Sequence, residues 1–337
     1  VPTGLAHGTV TAVVNHMPLE ITTLRRDVET DGRHARVKFT DRWSEDAARR
    51  DFTMNALYLD RQGRIFDYFG GLADLRDQKL RFIGMAADRI AEDYLRILRF
   101  FRFSAQLEIL PPDPDGLAAC VSASASLQTL SRERIWQEMR KLLIAPAAPS
   151  VLKIMQATGV TRHLIAGEDE LFGSLDPLAN MPAGRDTLRV LRRILPDVDR
   201  ARLLTEDWKL SRADTGRLLR MYEFQLPEPV FQTVSGLRRL LYRSGPETFR
   251  DLVWLALADD HPDPETLMRV ADEWESPKLP VNGQDVMACG IERGPMVGLI
   301  LSDIEDWWIM DDFQADRSAC MAELNRIAAR PRREVSS

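Results

Sequence analysis

At 337 residues, 45% apolar and 28% charged, the chain is long enough for roughly two to four packed units. Its net charge of -6 excludes nucleic-acid binding through overall charge. The longest apolar runs, Leu252 to Ala258 and Met296 to Leu301, are too short to span a membrane. With no signal-peptide pattern, and with Cys120, Cys289 and Cys320 lacking disulfide or metal-ligand spacing, a cytoplasmic protein with reduced thiols is expected.

Thr9 to Val14 and Leu19 to Leu24 are β-branched runs on either side of Asn15-His16-Met17-Pro18, a hairpin pattern. Arg33 to Thr40 predicts another strand and Trp43 to Arg50 a helix. Leu57 to Asp60 and Arg64 to Phe69 flank Arg61-Gln62-Gly63 as a second hairpin. From Ala86 strand signals nearly vanish. Ala86 to Leu107 predicts one continuous helix with Ile90, Tyr94, Ile97 and Phe101 on its apolar face, stopped by Pro111-Pro112-Asp113-Pro114. Further helices are predicted at 115–126, 131–144, 148–159, 185–195, 199–207, 212–224, 234–242, 246–258, 264–274 and 295–309, with Ser131 and Asp186 as start signals. Trp307-Trp308 reads as helix packing. The fold class is therefore α+β: a short sheet-bearing head followed by a long all-helical remainder. A head of two hairpins without earlier strands is marginal, so the chain is expected to begin inside a domain.

Two stretches concentrate charge beside core-sized apolar residues. The first is Arg49-Arg50-Asp51-Phe52-Thr53-Met54-Asn55-Ala56; the second is Glu92-Asp93-x-x-Arg96-x-x-Arg99-x-x-Arg102-Phe103. Taken alone, each reads more readily as ion pairs, on a helix face or closing a helix end. On a continuous helix Asp93 and Arg96 would share a face, as would Glu92 and Arg96. A carboxylate only accepts and a guanidinium only donates. Cytosine and adenine both present an exocyclic amine beside an unprotonated ring nitrogen, whereas guanine and uracil present a carbonyl beside an N–H. One fixed Asp/Arg pair would thus accept C and A and reject G and U without a template. Exchanging the two charges should then change the preferred nucleotides. In the first stretch Arg50 suits a phosphate and Asp51 a ribose hydroxyl. Basic residues also cluster between Arg185 and Arg220 and at Arg238, Arg239, Arg243 and Arg250, while acids pool at Asp303, Glu305, Asp306, Asp311, Asp312 and Asp316. Such a segregated field suits RNA binding at one surface.

The order of motifs resembles the class II tRNA nucleotidyltransferases, the CCA-adding enzymes and their poly(A) polymerase relatives. It runs from Thr3-Gly4-x-x-His7-Gly8-Thr9-Val10-Thr11 and Glu20-Ile21-Thr22-Thr23-Leu24-Arg25 to the Arg-Arg-Asp-Phe-Thr-x-Asn-Ala segment. Asp67-Tyr68-Phe69-Gly70-Gly71-Leu72-Ala73-Asp74-Leu75 is similar to the family's hinge motif, the Glu92 to Phe103 segment to its base-reading helix, and Ser131 to Glu138 to its neck motif. The resemblance implies a polymerase-β-like head at 1–84 lacking its N-terminal segment, a helical neck at 85–147, a helical body at 148–275 and a tail at 276–337. It implies attack by a tRNA 3′-hydroxyl on the α-phosphate of CTP or ATP, releasing pyrophosphate, with the tRNA acceptor arm held by body and tail. Arg50, Asp51 and Asn55 would then serve phosphate and ribose, Asp93 and Arg96 the base, and Arg99 and Arg102 the triphosphate. Gly70 and Gly71 would form the hinge.

The resemblance also implies Mg2+ held on an Asp-x-Asp pair that does not precede Thr3. Glu20 occupies the place of a third, catalytic metal-binding carboxylate, and one carboxylate cannot assemble a metal pair. Residues 1–337 alone are therefore expected not to turn over nucleotide. A poly(A) polymerase, an A-only adding enzyme and an RNA-binding module without catalysis remain open alternatives.

Overall fold

A computed structural model describes residues 8–30, 35–165, 172–175, 186–224, 233–257 and 264–329. The first part of the Thr3 motif and part of the strand expected from Arg33 lie outside them. Contacts divide the chain into two units, Val1–Leu219 and Arg220–Ser337.

The first unit opens with three two-stranded antiparallel ladders. β1 (Thr9–Val14) pairs with β2 (Met17–Thr22) across a two-residue turn in which Asn15 and His16 both adopt positive φ. That turn matches the twist of the flanking strands and starts β2 two residues earlier than its apolar run suggests. β3 (Arg25–Thr30), a polar segment with no strand signal, pairs with β4 (Ala35–Phe39). Its pairing partner rather than its own composition makes it a strand. α1 (Trp43–Ala48) follows, then a 3-10 turn at Thr53–Ala56 and the short hairpin β5 (Leu57–Leu59) and β6 (Ile65–Asp67). Trp43 stacks on Tyr58 at 5.3 Å and meets Phe66 edge-on at 4.9 Å, fixing α1 to this hairpin.

α2 (Gly71–Arg76) begins at the glycine pair. The Asp67 carboxylate caps it, accepting from the Gly71 and Leu72 N–H groups at 2.9 Å each. Gly70 has φ +77° and open space where a Cβ would stand, whereas a Cβ on Gly71 would sit 2.3 Å from the Thr53 carbonyl oxygen. The two glycines are thus required for different reasons. Gly70→Ala should cost about 1 kcal/mol through backbone strain alone. Gly71→Ala should cost about 3 kcal/mol, because backbone rather than a yielding side chain opposes it. Urea titrations that rank the two variants in the opposite order would refute this assignment.

The predicted helix over 86–107 is two helices. α3 (Ala86–Glu92) ends at Asp93, which is extended at φ −156° and ψ 107°, and α4 (Leu95–Gln106) starts afresh. The cause is local: Asp93 Oδ1 accepts the Leu95 N–H at 3.0 Å, an Asx turn that replaces the helical bond. α4 buries Ile97, Leu98, Phe101 and Ala105, and it packs against α6 (Arg132–Leu143) and α7 (Ala148–Ala157). Phe52, Phe82 and Phe100 join the head to this helical layer, with ring centroids 4.8 Å apart for the first pair and 5.6 Å for the second.

α5 (Pro114–Ser122) is capped by Asp113, which accepts the Gly116 N–H at 2.9 Å. Asp186 caps α8 (Thr187–Ile194) as its sequence predicts, accepting from Leu188 and Arg189. Ser131 makes no such side-chain bond at the start of α6. α9 (Val198–Asp207) and α10 (Arg212–Glu223) follow.

The second unit holds two helical layers. Leu237, Leu241, Phe249 and Val253 form the core of α11 (Val234–Ser244), α12 (Pro246–Leu257) and α13 (Pro264–Glu273). Val286, Ile304, Trp308 and Leu324 do the same for α14 (Gly283–Ala288), α15 (Pro295–Met310) and α16 (Arg317–Ala328). Trp308 is packed as expected and donates its Nε1–H to the Ala315 carbonyl at 3.0 Å. α14 and α16 carry no prediction from the sequence. The segregated charge field is corrected here. Arg243 pairs with Asp306 at 2.7 Å and Arg238 with Asp312 at 3.5 Å, so acids distant in sequence neutralise two of the clustered arginines. No helix among the described residues is long and apolar enough to cross a membrane.

Candidate nucleotide site

A cavity of about 660 Å³ lies where the head meets α4 and α6. Arg25, Arg49, Arg50, Arg96, Arg99, Arg102 and Arg134 line it against only Asp51 and Asp93, with Leu95 and Phe103 as its apolar wall. Behind this lining Asp46, Glu92 and Glu138 pair with Arg49, Arg50, Arg96 and Arg102, which leaves a small excess of guanidinium groups, a field suited to a polyanion.

α1 organises the head side. Asp46, 2% exposed, accepts from Arg49 through Oδ1 at 2.7 Å, from Arg50 through Oδ2 at 3.1 Å, from the Tyr58 hydroxyl at 2.6 Å and from the Arg25 N–H at 3.1 Å. Burial opposes its charge, but the Tyr58 hydroxyl, the Arg25 N–H and Arg49 more than offset it and hold the carboxyl at about 2. Burial together with the same carboxylate pushes Tyr58 up to about 12. The sequence reading missed Asp46, although its spacing of three and four residues from Arg49 and Arg50 on a predicted helix was the available signal.

Asp51 sits at the head's edge. Its Oδ1 accepts the Phe52 N–H at 2.9 Å and Asn55 Nδ2 at 3.0 Å, and its Oδ2 accepts Arg99 Nε at 2.6 Å. Burial raises its pKa, yet the Arg99 charge and the Asn55 bond outweigh that and leave it below its ordinary value. Arg50 donates to the Asn55 carbonyl at 2.9 Å and lies over the Tyr58 ring. Arg102 is nearly buried against Glu138 at 2.5 Å and stacks on Phe103, its guanidinium carbon 4.0 Å from the ring centroid. Arg102 is therefore matched by a buried carboxylate, while Arg99 ties α4 to the Asp51 segment.

Asp93 and Arg96 both line the cavity, but not as successive positions on one helix. The expected shared helical face is corrected by the break at Asp93. Asp93 Oδ2 accepts from Arg134 of α6 at 2.7 Å, and Arg96 pairs with Glu92 at 2.6 Å. Asp93 keeps unused lone pairs and Arg96 unused donors, so an acceptor and a donor stand in one cavity. The turn between them, rather than a helical face, sets their spacing.

Gly70 and Gly71 do not line this cavity; they begin α2. Glu20 does not line it either. It stands exposed on β2 opposite Thr11, on the same strand face as Thr22, which does. Among the described residues no group of three or more His, Cys, Asp or Glu is placed to hold a metal ion. Glu20 with its described surroundings does not fit a two-metal centre.

Comparison with known proteins adds a family. The family model described as "Poly A polymerase head domain" matches residues 1–81, and one described as "Probable RNA and SrmB- binding site of polymerase A" matches 110–169. The chain is similar to the mitochondrial CCA tRNA nucleotidyltransferase 1 of Danio rerio, with 32% identity over 96% of this chain and 76% of the relative. The human protein of the same name is 31% identical over the same shares. The crystal structure of the Bacillus stearothermophilus CCA-adding enzyme in complex with CTP matches with a TM-score of 0.79 and 28% identity, over 97% of this chain and 83% of that one.

Proposed function

The chain belongs to the CCA tRNA nucleotidyltransferase family, and from that membership we propose that it serves template-independent addition of C and A to the tRNA 3′ end. CTP and ATP are the nucleotide substrates and pyrophosphate is the product. The observation that carries this reading is the meeting of Asp93, an acceptor, and Arg96, a donor, in the arginine-lined cavity that also holds Asp51.

In this reading the triphosphate lies among the arginines of α1 and α4, with Arg50 and Arg99 nearest the Asp51 segment. Asp51, kept ionised by Arg99, accepts from a ribose hydroxyl and so favours ribonucleotides, and Asn55 holds it in place. The base then presents its amine to Asp93 and its bare ring nitrogen to Arg96. A guanine or uracil would set carbonyl against carboxylate and N–H against guanidinium. Arg102, matched by Glu138, supports the cavity wall behind the triphosphate. Mg2+ is the ion that the family likeness implies; Glu20 with the other described residues does not form its site, and no step is routed through it. The head spans residues 1–84 and the neck 85–147; the body at 148–275 and the tail at 276–337 hold the acceptor arm through phosphate contacts. Gly70 and Gly71 form the hinge by which the head shifts between C and A.

The test offers tRNA ending before its last three bases with CTP, ATP or both, alongside equilibrium binding of each nucleotide. CTP and ATP should bind in preference to UTP and GTP. Long ATP-only tails with CTP ignored would replace this reading by a poly(A) polymerase.

A further inference from the structure

The Arg96 guanidinium is held from two sides of the cavity wall. Its Nη1 donates to the Arg89 carbonyl at 2.8 Å and to Glu92 at 2.6 Å, and its Nη2 donates to the Arg49 carbonyl at 2.8 Å. Three of its five N–H donors are thereby committed, leaving two for a ligand. Arg89, which does not line the cavity, completes the arrangement. Its Nη1 donates to the Ala48 carbonyl at 2.9 Å and its Nη2 pairs with the same Glu92 at 2.5 Å.

Ala48 and Arg49 are the last residue and the C-cap of α1. The terminal carbonyls of a helix lack intrahelical partners and carry its negative end. Two guanidinium groups from α3 and α4, joined through one carboxylate, close that end. The clamped carbonyls immediately precede Arg50 and Asp51. The Arg89–Glu92–Arg96 unit therefore fixes the distance between the base-facing guanidinium and the segment assigned to ribose and phosphate.

We infer that Arg89 is a specificity-determining positioning residue: by clamping Ala48 it sets where Arg96 stands relative to Asp51, and so which base edge completes the cavity. This rests on the nucleotide reading above. A role confined to stability would weaken all ligands alike. A positioning role changes base choice while leaving the phosphate-binding arginines as they are, since Arg89 touches none of their phosphate-facing groups.

The experiment measures equilibrium binding of CTP, UTP and inorganic tripolyphosphate to the full chain as wild type, Arg89→Ala and Arg89→Lys. Arg89→Ala should lower the CTP-over-UTP preference by about tenfold, as sub-ångström to ångström misplacement does. Tripolyphosphate binding should stay unchanged, and Arg89→Lys, which can still reach Ala48 or Glu92, should recover part of the preference. An unchanged CTP-to-UTP ratio in Arg89→Ala, or a parallel loss of all three ligands, would overturn the inference. If Arg89→Ala lacks a cooperative melt, Arg89→Gln decides by the same ratio. A wild type that does not prefer CTP defeats the nucleotide reading itself, and the clamp with it.

Discussion

Exchanging the charges at the pair proposed to read the base, Asp93→Arg with Arg96→Asp, is expected to abolish nucleotide discrimination rather than invert it. The donor and acceptor pattern of the bases suggests inversion, but the neighbours forbid it. Asp93 accepts from Arg134 at 2.7 Å and from the Leu95 N–H, so an arginine there meets a like charge and removes the Asx turn that starts α4. Arg96 lies between Glu92 and the Arg49 and Arg89 carbonyl oxygens, so an aspartate there faces three acceptors. Like charges forced together cost several kcal/mol, so CTP affinity should fall by about 10²-fold or more with no gain for GTP or UTP. Adding Arg134→Glu and Glu92→Gln relieves the two like-charge contacts and should restore part of the binding, with GTP and UTP preferred. Calorimetry on the two variants distinguishes these outcomes. A bare double exchange that binds GTP as tightly as the wild type binds CTP would show that the neighbours do not matter.

Asp46→Asn should destabilise the first unit by about 3 kcal/mol, the range for breaking a buried ion pair. This carboxylate serves two arginines, a phenol and a backbone N–H at once, and an amide serves them poorly. The effect has a pH signature. A carboxyl lowered from 3.8 to about 2 on folding contributes stability that is fully present above about pH 4 and is lost as pH falls towards 2. At about 1.4 kcal/mol for each pH unit, that linkage alone is worth about 2 kcal/mol. Wild type and Asp46→Asn should therefore differ by a constant amount from pH 5 to 8 and converge below pH 4. A gap that persists unchanged at pH 2.5 would mean that the charge of Asp46 is not what the arginines require. Nucleotide binding at neutral pH should weaken in parallel, because Arg49 and Arg50 lose their common anchor.

The sequence by itself determined the class of the fold, the positions of most helices and most, though not Arg25, Arg49 or Arg134, of the charged residues that meet in the cavity. Helical spacing and start signals act over a few residues, so Thr187–Ile194 and Trp43–Ala48 are legible from their own composition. The family likeness rested on motif order, which needs no coordinates. Tertiary structure alone decided how those charges are spent. β3 is a strand because β4 pairs with it, and α14 and α16 are short or weakly patterned helices stabilised by a shared apolar core. Apolar periodicity over 86–107 continues smoothly through a residue whose side chain takes the next turn's N–H, so the break at Asp93 left no trace in the pattern. Asp46 with Tyr58, Asp51 with Arg99 and Glu138 with Arg102 join residues 12, 48 and 36 positions apart. Periodicity carries no information about such pairs, because which carboxylate answers which guanidinium is fixed only when burial removes the water that would otherwise answer both.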